Sequence, residues 1–391
     1  MTAGPELTDG QRRAGLGISI LCIAVAALAI GLTFPLLALL LEGKGFSGTA
    51  IGINSAMGPL AILLSSAFVP RWIARFGARR FIVICVLANG ITMILFKVLD
   101  WYAVWLVLRL LSGVAVAGLF VASESWINQV ARSEQRAQVM AIYNISLSAG
   151  FALGPVLLGF VGVQGWAPFV IGAAIMFVAA IPMIFVPVVA PRFDGTPSFN
   201  VLTYVKVAPT LVGAILLYAM IENSTSSMIS VFGRRSGLAD QDALIMLSAV
   251  VVGGMFFAWP VGWLADRYDK IRLMTILGAV GVVGALAVPF TVQNLWLCYS
   301  ILFIWGGAGA SLYTIAMALQ GERFSGADLV TANAAFGVLY GVGSLLGPSM
   351  TGVAMDLDDP NGYSWVMTGC CLTFVIFTIF RQRAKRRGSA G

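Results

Sequence analysis

The stretch GWLADRYDKIR (262–272) carries two acids and three bases within eleven residues, and it joins two long apolar runs, 241–264 and 273–291. Each run approaches the ~20 apolar residues that an α-helix needs to cross a hydrocarbon core about 30 Å thick. The stretch therefore reads as a tight, charged loop between two membrane helices. The rest of the chain is of the same kind. Of 391 residues, 59% are hydrophobic and 10% charged, against about 45–50% and about 25% in a soluble domain. The mean hydropathy of +0.92 describes the whole length. A water-soluble globule is excluded, and the expected fold class is an all-α integral membrane protein.

Outward from that loop, apolar runs long enough to span recur near 15–41, 49–70, 80–98, 102–128, 138–161 and 166–189, and again near 207–231, 241–264, 273–291, 295–320, 329–355 and 363–380. Twelve transmembrane helices in two sets of six are expected. Residues 1–189 form the N-terminal half, 190–206 a polar cytoplasmic linker and 207–391 the C-terminal half. The first run is too long for a signal-peptide core, and no small-residue cleavage site ends it. An even number of spans puts both termini on one side. Placing them in the cytoplasm puts 19 of the 24 Lys and Arg inside and leaves only Lys44, Lys97, Arg234 and Arg235 outside, with Arg109 within the membrane. The positive-inside rule selects this orientation in a bacterial inner membrane. The net charge of +7 then needs no nucleic-acid partner; the lipid bilayer is the expected one, around a monomer.

An internal repeat supports the division into six plus six. Gly150, Gly154, Pro155 and Gly159 recur as Gly343, Gly347, Pro348 and Gly352, at a constant offset of 193 residues. Each proline frees a backbone carbonyl and bends its helix, while the glycines permit close helix contact. These sets read either as hinges for sliding helices or as ordinary packing glycines. The loop 262–272 also has a degenerate counterpart, PRWIARFGARR (70–80), which keeps its bases and Gly77 but has Ala74 where the other half has Asp266. Parallel duplication of a six-helix unit places a transport site between the repeats near mid-membrane.

On these residues, together with Arg109, Gly113 and Gly118 in the fourth run, the chain resembles the major facilitator superfamily. Glu124-Ser125, Trp259-Pro260 and GSLLGP (343–348) are similar to its YcaD-like branch. The resemblance implies two pseudo-symmetric six-helix bundles and secondary active transport by alternating access. The loop chemistry has its own logic, because an acid flanked by bases can clamp a facing helix end in one conformation and release it in another. Arg75, Gly77, Gly262, Asp266, Arg267, Lys270 and Arg272 are the expected conformational latch, with Gly262 allowing the loop to pack closely. Arg71, Arg79 and Arg80 read as topology signals.

Several chemistries are excluded or left without support. The chain has no His, which removes histidine metal ligands, Ser/His and Cys/His nucleophile pairs and His proton relays. Its five cysteines all lie in apolar runs and read as small buried hydrophobes. No G-x-x-x-x-G-K-[ST] phosphate loop occurs, so direct ATP drive is not encoded, and neither an enzyme nor a cofactor is expected.

The informative residues are the ionisable ones inside the membrane, since each costs about 2.5–3.5 kcal/mol at a helix centre. Arg109 lies eight residues past Trp101, roughly 12 Å deep at 1.5 Å per residue, and Glu222 sits at a comparable depth ten residues before Phe232. Each reads as a group facing a cavity or substrate, or as a structural ion pair or interhelix hydrogen bond. The run Asn223 to Ser227 is too polar for lipid and is expected to line water or substrate. Glu124 reads as a proton carrier or as a partner of Arg75 or Arg136, and Asn144 and Tyr313 as cavity-bordering or packing residues. The functional expectation is proton-coupled export of a drug-like or amphipathic compound. The alternatives are uptake of a small polar or anionic solute bound by Arg109, and a non-transporting membrane sensor.

Overall fold

A computed structural model describes residues 9–65, 68–132, 135–185, 208–324 and 326–388; the expected linker 190–206 lies outside them. Among the described residues every regular element is a helix. In chain order these are α1 (Asp9–Gly43), α2 (Gly48–Ser65), α3 (Val69–Phe76), α4 (Ala78–Val98), α5 (Tyr102–Val130), α6 (Arg136–Val161), α7 (Ala167–Phe185), α8 (Pro209–Arg235), α9 (Asp240–Ala265), α10 (Lys270–Thr291), α11 (Leu295–Arg323), α12 (Gly326–Leu357) and α13 (Gly362–Gly388). Twelve are long, as expected. Eleven of these are apolar and long enough to cross a membrane, and α8 is the exception because Glu222 to Ser227 interrupts its apolar sequence. Helices dominate because hydrocarbon offers backbone groups no partner, so each segment must satisfy its own.

The thirteenth helix, α3, is short and two-faced. Val69 and Ile73 are buried while Arg71 and Arg75 are not, and the Trp72 ring packs between Phe68 and Phe81. It ends at Gly77, whose φ of 79° is a conformation that favours glycine and that turns the chain directly into α4. The degenerate loop 70–80 thus contains most of a short amphipathic helix, one glycine and the start of α4.

The chain divides into two compact units. The first takes Met1–Thr33 and Leu60–Thr196, and the second takes Phe34–Pro59 and Pro197–Gly391. The first unit packs Cys22, Ile23 and Ala26 of α1 with Phe81, Ile82 and Cys85 of α4, Leu119 and Trp126 of α5, and Met176 and Met183 of α7. The second is centred on Leu211 and Ile215 of α8, Met274 and Leu277 of α10, Leu312 and Ile315 of α11, Phe336 of α12 and Phe374 of α13. It also holds the end of α1 and most of α2.

The repeat is visible in how the helices meet. A Cβ at Gly150 or Gly154 of α6 would run into the backbone of α1 at Ala24, Leu28, Gly31 and Leu32. A Cβ at Gly343 or Gly347 of α12 would run into the backbone of α8 at Leu216 and Met220. Both pairs are backbone-to-backbone contacts made possible by missing side chains. Gly262 differs: a Cβ there has open space within 4 Å. The expectation that Gly262 serves close packing of the charged loop is therefore corrected, since nothing in this arrangement presses on it.

These contacts predict opposite outcomes for one substitution at different sites. Gly154→Ala and Gly347→Ala should each lower the thermal midpoint of the detergent-solubilised protein, by the equivalent of about 1–3 kcal/mol, because a helix must shift to admit the methyl group. Gly262→Ala should change it by less than about 0.5 kcal/mol. Fluorescence-monitored melting curves of the three variants check this.

Candidate functional site

The site is built on α8, where Tyr218 and Glu222 are four residues apart and so share a face. The Tyr340 hydroxyl of α12 donates to Oε2 of Glu222 at 2.5 Å, and the Tyr218 hydroxyl is hydrogen-bonded to the same carboxylate. The tyrosine rings continue the cluster. The Tyr218 ring centroid lies 5.1 Å from that of Tyr313 and 6.5 Å from that of Tyr340, and Tyr313 meets Phe336 edge-on at 5.5 Å. Tyr218, Glu222, Tyr313 and Tyr340 are all half-buried. The second unit thus presents a carboxylate held by two phenols and bordered by aromatic faces.

One turn along, the Asn223 amide donates from Nδ2 to Ser344 Oγ at 2.7 Å and to the Ala219 carbonyl at 3.2 Å, which leaves its Oδ1 for another donor. The residues that follow behave differently from expectation. Ser224 Oγ accepts from Thr351 at 3.0 Å, Thr225 shares a hydrogen bond with the Tyr363 hydroxyl at 3.0 Å, and Ser226 and Ser227 donate to the carbonyls of Glu222 and Asn223 at 2.8 and 2.9 Å. All four are buried. The reading of Asn223 to Ser227 as a run lining water is corrected: only Asn223 is half-buried, and the hydroxyls bind α8 to α12 and α13 or back onto α8 itself. Small hydroxyls let helices approach and satisfy them in the same contact.

In the first unit, Arg109 of α5 is buried at 4% exposure, consistent with a position deep in the bundle. Glu124, fifteen residues on, is exposed and lies beside the hydroxyl of buried Tyr143. Tyr143 is thus a neighbour that the structure supplies; the side chain of Arg136, one of the expected partners, lies outside the described residues. Asn144 is exposed on α6.

The charged loop of the second unit is organised around helix ends. Asp269 caps α10 by accepting from the Arg272 amide at 2.7 Å, Lys270 pairs with Glu322 at 2.8 Å, and the Arg267 guanidinium lies 3.8 Å above the Trp263 ring. Asp266 is exposed. In the first unit Arg79, read above as a topology signal, donates from Nε to the Met183 carbonyl at 2.8 Å and from Nη2 to the Ile184 carbonyl at 2.6 Å. It therefore caps the C-terminus of α7, where carbonyls lack helical partners and a cation is favoured.

Tyr218 was within reach of sequence reasoning, since it sits one turn before Glu222. Tyr340 and Ser344 were not, because they lie about 120 residues away and no spacing connects them.

The sequence model of the Major Facilitator Superfamily matches residues 19–348 and again 211–391. The chain belongs to this superfamily. It is similar to YfkF of Bacillus subtilis (strain 168), an uncharacterised MFS-type transporter, at 23% identity over 85% of this chain and 86% of the relative. It is also similar to an uncharacterised MFS-type transporter of Yersinia enterocolitica, at 27% identity over 75% of this chain and 76% of the relative. Among solved structures, the nucleoside transporter NupG aligns with a TM-score of 0.75 at 14% identity, over 95% of this chain and 96% of that one. The D-xylose-proton symporter aligns with a TM-score of 0.74 at 14% identity, covering 94% and 96%. The superfamily fold and a multi-pass membrane transporter follow.

The capping by Arg79 can be measured. Arg79→Gln should lower the thermal midpoint by the equivalent of about 1.5–3 kcal/mol, the range for hydrogen bonds to a charged group. Arg80→Gln, at a residue with no such bond described, should have a smaller effect in the same melting assay.

Proposed function

We propose that this superfamily member is a proton-coupled secondary transporter of the bacterial inner membrane, with both termini cytoplasmic, that exports a drug-like or amphipathic compound. The observation that carries the proposal is the Glu222 carboxylate bonded by Tyr340 at 2.5 Å and bordered by Tyr218, Tyr313 and Phe336. A carboxylate changes its proton affinity with its surroundings, so a site that rearranges between two conformations takes up and releases a proton. The tyrosine hydroxyls bond to the carboxylate, and any movement of α12 relative to α8 that withdraws Tyr340 removes one of these bonds. The aromatic faces suit a planar, apolar body, and the carboxylate disfavours an anion beside it. Glu124, next to Tyr143, is a second titratable position, and Asn223 offers its free carbonyl oxygen as a polar contact.

A second reading, uptake of a small polar or anionic solute, is favoured by buried Arg109, because a guanidinium binds carboxylate or phosphate through two parallel hydrogen bonds. In either direction Asp266, exposed between the capped ends of α9 and α10, is the latch residue, together with Arg267, Lys270 and Arg272 of its own loop; Arg75 and Gly77 are the corresponding latch positions of the first unit. The sets Gly150 to Gly159 and Gly343 to Gly352 allow their helices to slide.

Everted membrane vesicles, energised to become acid inside, test the coupling. A panel of lipophilic cations, neutral amphipaths and small anions is added, and the dissipation of the pH gradient is followed with a dye. Wild-type protein should dissipate it with lipophilic compounds. Glu222→Gln should reduce that by more than about tenfold while keeping counterflow exchange within a few-fold, since coupling and binding are separate free energies. Arg109→Lys should weaken binding, because a point ammonium does not reproduce the guanidinium fork. Full gradient-driven transport in Glu222→Gln, Glu124→Gln and the double variant overturns the coupling.

A further inference from the structure

Hydroxyls on the helices of the second unit usually find a partner close by. Ser226, Ser300, Ser311 and Thr373 each donate to the carbonyl four residues back on their own helix, at 2.7 or 2.8 Å. Ser364 and Thr368 of α13 depart from this. They are one turn apart and so share a face, and their side-chain oxygens are enclosed yet meet no hydrogen-bond partner among the described residues. Ser364 is only 2% exposed. A buried hydroxyl in this state has given up water and gained nothing in return, so a ligand that accepts from it is strongly favoured.

Ser364 also lines a cavity. About 160 Å³ in volume, it lies between the end of α10 and the start of α13, and its walls are Leu286, Pro289, Phe290, Asn361, Ser364 and Trp365. Its place follows from the packing of the two helices. A Cβ at Gly281 would meet Cys371 Sγ, and one at Gly278 would meet Val375, so α10 and α13 run antiparallel with Ala285 level with the turn between Ser364 and Thr368. This end of the pair is opposite the charged loop 262–272, at a membrane surface. Phe290, Trp296 and Trp365 are exposed there, as aromatic rings are at the boundary between headgroups and hydrocarbon.

Size and charge narrow the choice of occupant. A pocket for a drug-sized molecule has about 300–1,000 Å³, whereas a cavity of about 150 Å³ takes a group the size of benzene. The cavity therefore suits a segment of a longer molecule. Apolar surface continues deeper into the membrane, where Gly369 has open space around its Cβ position and Val283 and Leu286 of α10 and Leu372 of α13 are exposed. An acyl chain fits such a surface. Toward water, the turn between α12 and α13 carries Asp356, Asp358 and Asp359. Asp356 accepts the amides of Gly48 and Thr49, and Asp359 accepts from Arg235. Asp358 uses Oδ2 to accept from Trp365 Nε1 at 2.6 Å, which leaves its Oδ1 for another donor. None of the lining residues is charged, so this acid sets the sign at the rim and favours an ammonium over an anion.

We propose that the cavity is a binding site for an amine-bearing, zwitterionic phospholipid. Ser364 and Thr368 donate to its acyl-ester carbonyls, Asn361 offers its amide to the phosphate, and the ammonium sits beside Asp358. The acyl chains run along Val283, Leu286 and Leu372. The lipid thus satisfies hydroxyls that the protein leaves without a partner, and it joins α10 to α13 within one compact unit. No lining residue belongs to the Glu222 cluster, so the site holds a lipid whichever solute the protein moves.

Native mass spectrometry of the full-length protein, delipidated in detergent, tests this. The protein is titrated with dioleoyl phosphatidylethanolamine, with dioleoyl phosphatidylglycerol, and with phosphorylethanolamine, which is the headgroup without its chains. The first ethanolamine lipid should bind at least about tenfold more tightly than the first phosphatidylglycerol, and the headgroup alone should not bind at the same concentrations. Ser364→Ala and Thr368→Val should each weaken that first adduct about fivefold, the worth of one hydrogen bond. Asp358→Asn should bring the two lipids within about twofold of each other. Neither hydroxyl variant should lower the melting midpoint of the lipid-free protein, since no protein partner is lost, whereas a merely structural hydroxyl would lower it. Equal affinity of the wild-type protein for the two lipids overturns the role of the amine, and equally tight binding of the headgroup alone overturns a lipid as the occupant. Undiminished ethanolamine-lipid binding in Ser364→Ala, Thr368→Val and the double variant overturns the site, as does a lowered midpoint of lipid-free Ser364→Ala.

Discussion

Close approach of helix backbones is the constraint on which the rest of this structure depends. Inside lipid the hydrophobic effect no longer drives one helix onto another, so association rests on dispersion contacts and on polar groups that find partners. Glycine supplies the first. α6 lies on α1 at Gly150 and Gly154, and α12 lies on α8 at Gly343 and Gly347, with main chain against main chain. Where glycine is absent a hydroxyl takes over. The position equivalent to Gly31 of α1 is Ser224 of α8, which accepts from Thr351. The two repeats thus solve one geometric problem with slightly different chemistry.

The same duplication shows where chemistry has been added. The residues equivalent to Tyr218, Glu222 and Tyr340 in the first repeat are Val25, Ala29 and Leu147, and the residue equivalent to Arg109 in the second is Leu302. The shared framework is apolar, and each half carries its own ionisable group at a position the other half leaves apolar. One repeat therefore carries a carboxylate and the other a guanidinium, an asymmetry that the shared framework does not impose. Insertion of either group is expensive, and the tyrosines around Glu222 offset part of that cost.

Charge at the helix ends follows a different logic from charge within the helices. Arg79 closes α7, Asp269 opens α10, Asp356 opens α2 and Arg234 closes α1. Each places its sign where the helix dipole favours it, and three of the four reach across to a helix far away in sequence. Such contacts are local in energy and discrete in geometry, and they suit elements that must be either docked or released.

Much of the architecture was legible in the sequence, because lipid imposes a simple code. Twelve apolar runs and the repeat at 193 residues each reflect a constraint acting on composition along the chain, so they survive in one dimension. The embedded Glu222 and Arg109 stood out for the same reason. What the sequence did not contain was the identity of their neighbours. Tyr340 and Ser344 join Glu222 and Asn223 only because α12 lies against α8, and Ser224 to Ser227 turn inward to neighbouring helices for that reason too. The charged loop at 262–272 looked tightly packed, while the tertiary arrangement leaves Gly262 open and puts the close contacts at Gly48, Gly52 and Gly352. Likewise Arg79 read as a topology signal until the end of α7 came to rest beside it. The period and polarity of a helix are properties of its own residues, whereas the partner of a polar side chain is decided by which helix faces it, and that is a property of the packing alone.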